Sequence, residues 1–365
     1  MFRTILIVVS VLVCAGSTAM AQSCQDIIDK RQAFMKKSAD MAKIGSAMIK
    51  GETPFDLAKA KEILRAVKRW SEEHGHPFFF STEASLNLSD DEELLTLMRD
   101  LDFRYVFVGI ESGDHEVLVT MQKQQNAKRN LLEALNKIQR HGIVVNGGFI
   151  VGCDGETSDS ARKMVEVIER GNVVMSMVGL MYALPNTQLT RRLKQEHRLL
   201  EDTGKLNEAA EATQVDQTTS GLNFITRRPR AQVLGDFLHV LKSVYSTRNY
   251  FDRCLRVSKV LRVRPRFKPP LKRMVRYGLA FLKIVVKLGL RPSTSYYYWR
   301  NFLNVLFTRV SSLESVVNLM AMYLHFKPQT EFVSGLMATN IKMLQANAAE
   351  DAHTAHRPEK AELSR

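Results

Sequence analysis

Residues 104–157 constrain the fold of this chain more than any other stretch. They hold two short apolar runs with a helical pattern between them. The first run is Tyr105-Val-Phe-Val-Gly-Ile-Glu-Ser-Gly113 and the second is Ile143-Val-Val-Asn-Gly-Gly-Phe-Ile-Val-Gly-Cys-Asp-Gly-Glu-Thr157. Each is rich in β-branched residues and ends in glycine and a carboxylate. Short continuous apolar runs bounded by turn signals fit strands of a parallel sheet that are buried on both faces. Between them, residues 127–141 place Leu131, Leu132, Leu135 and Ile138 on one helical face. Gly142 follows as a C′ stop. Strand, helix and strand make a βαβ unit, and chemistry in such units sits at the carboxyl ends of the strands. Glu111, Ser112, Asp154 and Glu156 all fall there.

The 365 residues are 45% hydrophobic, enough for one large domain or two smaller ones, and the net charge of +14 favours acidic partners or anionic lipid surfaces. Met1-Phe-Arg3, the apolar residues 5–15 and the small-x-small triplet Ala19-Met-Ala21 read as a secretory signal, so export to the periplasm is expected. Cleavage leaves Cys24, Cys153 and Cys254, far apart. No CxxC, no CxxCH and no Cys/His cluster of metal-binding spacing occurs in the chain, which argues against a disulfide framework and a zinc site.

Residues 22–57 have apolar positions at helical spacing up to Gly51, with a restart at Pro54 and Asp56. The run from Asp26 to Met35, followed by Met41-Ala-Lys-Ile44 and residues 50–56, resembles the first helix of cytochrome c′ and c-556, exported haem proteins. The resemblance covers about 35 residues. In that family haem attaches through CxxCH, which is absent. Met35 falls where some members supply an axial ligand; without the attachment site it reads as a core residue.

From residue 58 onward helical and strand-like segments alternate. Residues 60–70, 89–101, 158–170 and 188–199 read as helices, and residues 77–85 and 173–184 contain strands. Residues 205–220 read as a surface loop and 230–248 as one helix. Between Arg253 and Arg309 there are fifteen Lys or Arg and no Asp or Glu, interleaved with Leu279, Phe281, Leu282 and Tyr296-Tyr-Tyr-Trp299. Lys283 and Lys287 interrupt the apolar run, so it is no membrane span. A basic, aromatic-rich helix can lie on an anionic membrane surface, or cover a core with its charges in water. No nucleic-acid-binding motif accompanies the charge, and no nucleic-acid partner is expected. Residues 346–365 are polar and read as a disordered tail.

Ser81-Thr-Glu-Ala-Ser-Leu-Asn-Leu88, Gly109-Ile-Glu-Ser112, Gln125-Asn126, Phe149-Ile-Val-Gly152 with Asp154-Gly-Glu156, Ala183-Leu-Pro185 and Asn223-Phe-Ile225 together resemble the cobalamin-binding radical S-adenosylmethionine (SAM) proteins. These carry a helical C-terminal extension of DUF4070 type, and the hopanoid methylases belong to this broad group. The resemblance implies an α/β fold: a partial (βα) barrel over residues 58–200, then a helical basic extension over 201–345. It implies that Glu83 and Ser85 face the barrel mouth near substrate or the sulfonium. Glu111 and Ser112 would approach the ribose or methionyl group of SAM. Gly148, Ile150 and Gly152 would frame the adenine, with Leu184 and Pro185 on its other side. Each has a plainer alternative; Glu111 can cap the next helix and Asp154 can make a turn.

By the same resemblance the cofactors are SAM, a [4Fe–4S] cluster and cobalamin, and the reaction is radical methylation of an unactivated carbon. The family's CxxxCxxC, expected before residue 58, is not in this sequence, and neither is a recognisable cobalamin domain. Without thiolates there is no cluster. The activity is therefore expected to be impaired unless a partner chain supplies the other barrel half. Active radical chemistry would also belong in the cytoplasm. A partial barrel further leaves an unpaired strand edge.

Overall fold

The computed structural model describes Asp29 and residues 56–200, 221–263 and 271–355. The residues expected to form a signal (1–21), nearly all of those read as cytochrome-like (22–57), Met35 included, and those read as a loop (205–220) lie outside the described residues. The chain divides into two compact units, Met1–Trp70 and Ser71–Arg365. Of the first, Asp29 and residues 56–70 are described. Helix α1 (Leu57–Glu73) starts there, and the Asp56 carboxylate accepts the Lys59 amide at 3.1 Å, as an N-cap does.

The second unit is built on a four-stranded parallel sheet in the order β1 (Phe80–Ala84), β2 (Phe103–Glu111), β3 (Val144–Val151) and β4 (Ser176–Leu180). Helix α2 (Glu92–Asp100) joins the first two strands, and Asp91 caps it by accepting Leu94 N–H at 2.9 Å. Short helices α3 (His115–Thr120) and α4 (Gln124–Ala127) and then α5 (Leu131–Arg140) join β2 to β3. Helix α6 (Ser160–Arg170) joins β3 to β4. Gly142 ends α5 at φ +85°, as the C′ reading requires.

Alternation along the strands separates two faces. On one, Val106, Val108 and Ile110 of β2, Phe149 and Val151 of β3 and Leu180 of β4 are buried with Leu95, Leu135, Ile138, Met164 and Ile168 of the flanking helices. The other carries Phe107, Gly109, Glu111, Gly148, Ile150, Met177 and Gly179, and Met177 is 60% exposed. In a closed barrel this second face would be the interior.

The remainder is helical: α7 (Gln188–Gln195), α8 (Arg230–Val244), α9 (Thr247–Val260), α10 (Leu271–Ile284), α11 (Ser295–Thr308) and α12 (Leu313–Ala355). Two expectations are corrected here. The helix read over residues 230–248 is two helices, broken at Tyr245, because Ser246 caps α9 by accepting Asn249 N–H at 3.4 Å. The polar tail read from residue 346 is still helical as far as Ala355, as a continuation of α12. The outer edge of β4 is satisfied at one residue. Tyr245 donates its hydroxyl to the Ser176 carbonyl at 2.7 Å and accepts the Ser176 amide at 3.2 Å. No helix of the described residues is long and apolar enough to cross a membrane.

Candidate functional site

The carboxyl end of β2 is bent by a register shift against β3 between Gly109 and Glu111. Such a bulge re-aims the side chain that follows it. Glu111 sits at φ +71°, an uncommon region for a residue with a Cβ. Asn126 holds the distortion, donating from Nδ2 to the carbonyls of Gly109 (3.0 Å) and Ile110 (3.2 Å). The Glu111 carboxylate leaves the strand and meets Lys123 Nζ at 2.8 Å. Glu111 therefore does not cap the next helix; Asp114 does so, accepting Glu116 N–H at 3.3 Å.

Above the open sheet face lies a cavity of about 710 Å³, walled by Phe107, Glu111, Ile150 and Met177 from the strands and by Tyr245 and Phe326 from α8–α9 and α12. The last two rings stack with centroids 5.1 Å apart. A mostly apolar cavity of this size with one carboxylate at its rim matches a small-molecule site. Of the residues expected to bind, Glu111, Gly148 and Ile150 share this cavity.

The others are elsewhere. Gly152 lines a second, smaller space of about 350 Å³ together with Met121, Cys153, Asp154, Arg192 and Phe224. Ser112 is 1% exposed, and its hydroxyl accepts the Asp114 amide at 3.1 Å, a structural role. Glu83 and Ser85 stand at the end of β1, and the Ser85 hydroxyl donates to Asn87 Oδ1. Glu83 pairs in register with Phe107, so it belongs to the open face, but it does not line either space. Leu184 and Pro185 are exposed and line neither.

The glycines also differ from expectation. A Cβ on Gly148 would stand 2.8 Å from the Phe107 ring, so the space expected for a purine edge is filled by that ring. Gly152 has φ +103°, and a Cβ there would lie 2.5 Å from Leu222 Cδ2. Both strain and clash oppose a side chain at this turn. Gly152→Ala is expected to lose about 2 kcal/mol of stability, read as a fall in the urea midpoint with unchanged slope.

The end of β3 is electrostatically distinct. Asp154 receives Arg198 Nη2 at 2.6 Å and Arg192 Nη2 at 2.7 Å, with Arg227 Nε at 3.9 Å. Burial opposes its ionisation, but the Arg198 hydrogen bonds and the surrounding guanidinium charges hold it below the usual carboxylate range. It is an anchor for three arginines rather than a turn residue alone. Glu156 is buried and accepts the Gly152 amide at 2.8 Å. Burial pushes its pKa up to about 7. Nearby, buried Asn223 accepts Ala183 N–H at 2.8 Å and donates to the Ala183 carbonyl at 3.1 Å.

The two thiols among the described residues do not fit an iron–sulfur cluster. Cys153 and Cys254 are both buried. Burial raises the Cys153 thiol well above its ordinary value and the Cys254 thiol to about 12. A cluster needs several thiolates brought together, and no described thiol has a second beside it. Among the described residues no group of three or more His, Cys, Asp or Glu side chains is placed to hold a metal ion.

The phenylalanine and helix residues of the large cavity were not legible as site residues. Phe107 and Met177 follow from strand alternation once the faces are assigned. Tyr245 and Phe326 come from helices far along the chain, and nothing local in the sequence marks them.

A parallel βα sheet with a cavity over its open face, followed by a helical extension, defines a partial-barrel protein. The Radical SAM superfamily matches residues 29–168, and the Domain of unknown function (DUF4070) matches residues 187–337. Residues 29–168 thus belong to the radical SAM superfamily, followed by a DUF4070 domain over residues 187–337. The first match opens at residue 29, within the segment that resembles cytochrome c′. An uncharacterized methyltransferase, sll1242, of Synechocystis sp. is 33% identical over 275 residues, 75% of this chain and 49% of that protein. The hopanoid C-2 methylase of Rhodopseudomonas palustris is 27% identical over 245 residues, 66% of this chain and 44% of that protein. The chain thus spans about half the length of the curated relatives it matches. A solved structure of the cobalamin-dependent SAM radical enzyme OxsB covers 78% of this chain and 45% of its own at 14% identity, with a TM-score of 0.35. The radical SAM match points, at the level of the family, to SAM and an iron–sulfur cluster, and the two curated relatives are a methyltransferase and a methylase by name.

Proposed function

We propose that this chain is a SAM-binding portion of a radical methyltransferase, unable to cleave SAM by itself. The observation that carries this reading is the cavity of about 710 Å³ over the open sheet face, with Glu111 re-aimed to its rim. Its volume suits a nucleoside-sized ligand. Glu111 supplies an acceptor for a ribose hydroxyl or a methionyl ammonium, while Ile150 and Met177 give the base an apolar surface. SAM, when bound beside a reduced cluster, supplies the radical that starts methyl transfer. This chain's residues hold the nucleoside and the methionyl group. On this reading the thiolates would be supplied from outside these residues, as by a partner chain that completes the barrel.

Titration calorimetry with SAM tests the first half of this reading. Wild type is expected to bind, and Glu111→Ala to bind about tenfold more weakly through loss of a charge-assisted hydrogen bond. Ile150→Trp, which fills the cavity, is expected to abolish binding. Absence of SAM binding in the wild type overturns the reading. Incubation with SAM and dithionite tests the second half, and 5′-deoxyadenosine formed by this chain alone would contradict it.

A further inference from the structure

The basic segment expected to meet a membrane divides, in three dimensions, into charges that hold the fold together and charges that do not. Arg253 is fully buried, Arg256 pairs with Glu169 at 2.6 Å and Arg300 pairs with Asp252 at 2.6 Å. These three serve packing. Helix α10 and the π turn after it (Val285–Gly289) are different. Phe281 and Ile284 point inward, against an apolar space of about 550 Å³ that Tyr105 and Phe302 also line. The Phe281 and Phe302 rings lie 5.6 Å apart. Outward, Val275 is 60% exposed, Leu279 57%, Leu282 58% and Val286 59%. The spacing i, i+4, i+7, i+11 puts these four on one stripe. Arg276, Lys283 and Lys287 are exposed and recur one step round the helix, as a row beside that stripe. None of the three has an ion-pair partner among the described residues.

We infer that the outer face of α10 docks on an anionic phospholipid surface. A helix that shows water both an unbroken apolar stripe and an unpaired basic row is built for the boundary between acyl chains and headgroups. The apolar side chains enter the boundary and the cations stay with the phosphates. Charge complementarity excludes the competing occupants. Two copies of this face would bring two cationic rows together, in a segment (253–309) that has no Asp or Glu to relieve them. A nucleic acid would use the cations but leave the apolar stripe in water. The inference is independent of SAM binding, because α10 does not line the cavity at Glu111.

The test is co-sedimentation of the full chain with vesicles of phosphatidylglycerol and phosphatidylcholine in equal parts, against vesicles of phosphatidylcholine alone. Wild type is expected to sediment with the anionic vesicles and to be released as salt is raised. Lys283→Gln/Lys287→Gln should weaken partitioning roughly 30-fold, at about 1 kcal/mol per charge near the surface. Leu279→Asp/Leu282→Asp should reduce it at least about tenfold through the lost apolar burial. All four positions are exposed, so unfolding midpoints should stay with the wild type. Four results overturn the inference: no sedimentation, equal sedimentation with neutral vesicles, binding untouched by both double variants, or lipid-free self-association that Leu279→Asp/Leu282→Asp abolishes.

Discussion

Replacing Arg253 with alanine is expected to remove about 3–5 kcal/mol of stability, the usual cost of stranding one member of a buried ion pair. Arg253 is 0% exposed although it opens the most basic segment of the chain. Its guanidinium meets the Glu169 carboxylate at the end of α6 and donates to the Val244 carbonyl at 2.7 Å. Val244 is the last residue of α8, next to Tyr245, whose hydroxyl satisfies the β4 edge at Ser176. One side chain therefore ties α9, α6 and the α8 terminus to the sheet. Alanine leaves a cavity, an unpaired carbonyl and a carboxylate that keeps only Arg256.

Methionine fills the volume and should recover part of the loss. Arg256→Ala should cost under about 1 kcal/mol, because that guanidinium is 41% exposed and such pairs are screened. Urea unfolding of the three variants checks the order. A loss below about 1 kcal/mol for Arg253→Ala would remove the argument for a buried clamp. Because Tyr245 also walls the large cavity, Arg253→Ala should weaken SAM binding at temperatures where the protein is still folded.

The core of this fold was legible because it is local and periodic. Residues 105–110 of the first run and 144–151 of the second are strands in the structure, and Leu135 and Ile138 are buried beneath them, as alternation and helical spacing require. What failed was set by partners distant in sequence. The apolar run at 173–184 reads as one strand, yet only Ser176–Leu180 pairs with β3. Ala183 instead binds the side chain of Asn223, forty positions on. The break itself comes from the local Ser246 cap, but the Tyr245 that precedes it is held by Ser176, which no helical periodicity encodes. Gly148 looked like an opening for a flat ligand, and Gly152 looked like its continuation. Period two does not say that the Phe107 ring covers the first or that Leu222 abuts the second. Charge counting was blind in the same way: it could not separate a buried Arg253 from an exposed Lys283.

Replacing Glu156 with glutamine is expected to stabilise the protein above neutral pH by about 3 kcal/mol and to change little below pH 5. Glu156 is 8% exposed at the turn after β3. Burial raises its pKa from 4.5 to about 7, although the backbone amides of Cys153 and Gly152 and the charge of Arg228 favour the anion. Asp236, which pairs with Arg228 at 2.7 Å, opposes it. The folded state therefore keeps its proton while the unfolded chain releases it. A raised folded-state pKa makes this contribution fully favourable below about 4.5. It is lost as pH rises from there to about 7, and the protein above 7 carries a buried charge. Asp154 runs the other way, since its folded pKa is lowered and its contribution disappears in acid. The difference between wild type and Glu156→Gln isolates the Glu156 term from that opposing slope. Glutamine keeps an acceptor for Gly152 N–H, so the turn should persist. Urea unfolding of both proteins at pH 5 and pH 8 decides the matter. Equal differences at the two pH values would mean that Glu156 titrates as an ordinary carboxylate. A gain confined to pH 8 would establish a buried neutral acid at the turn after β3. Gly152 and Asp154 of the β3 end would then stand beside a group able to donate a proton near pH 7.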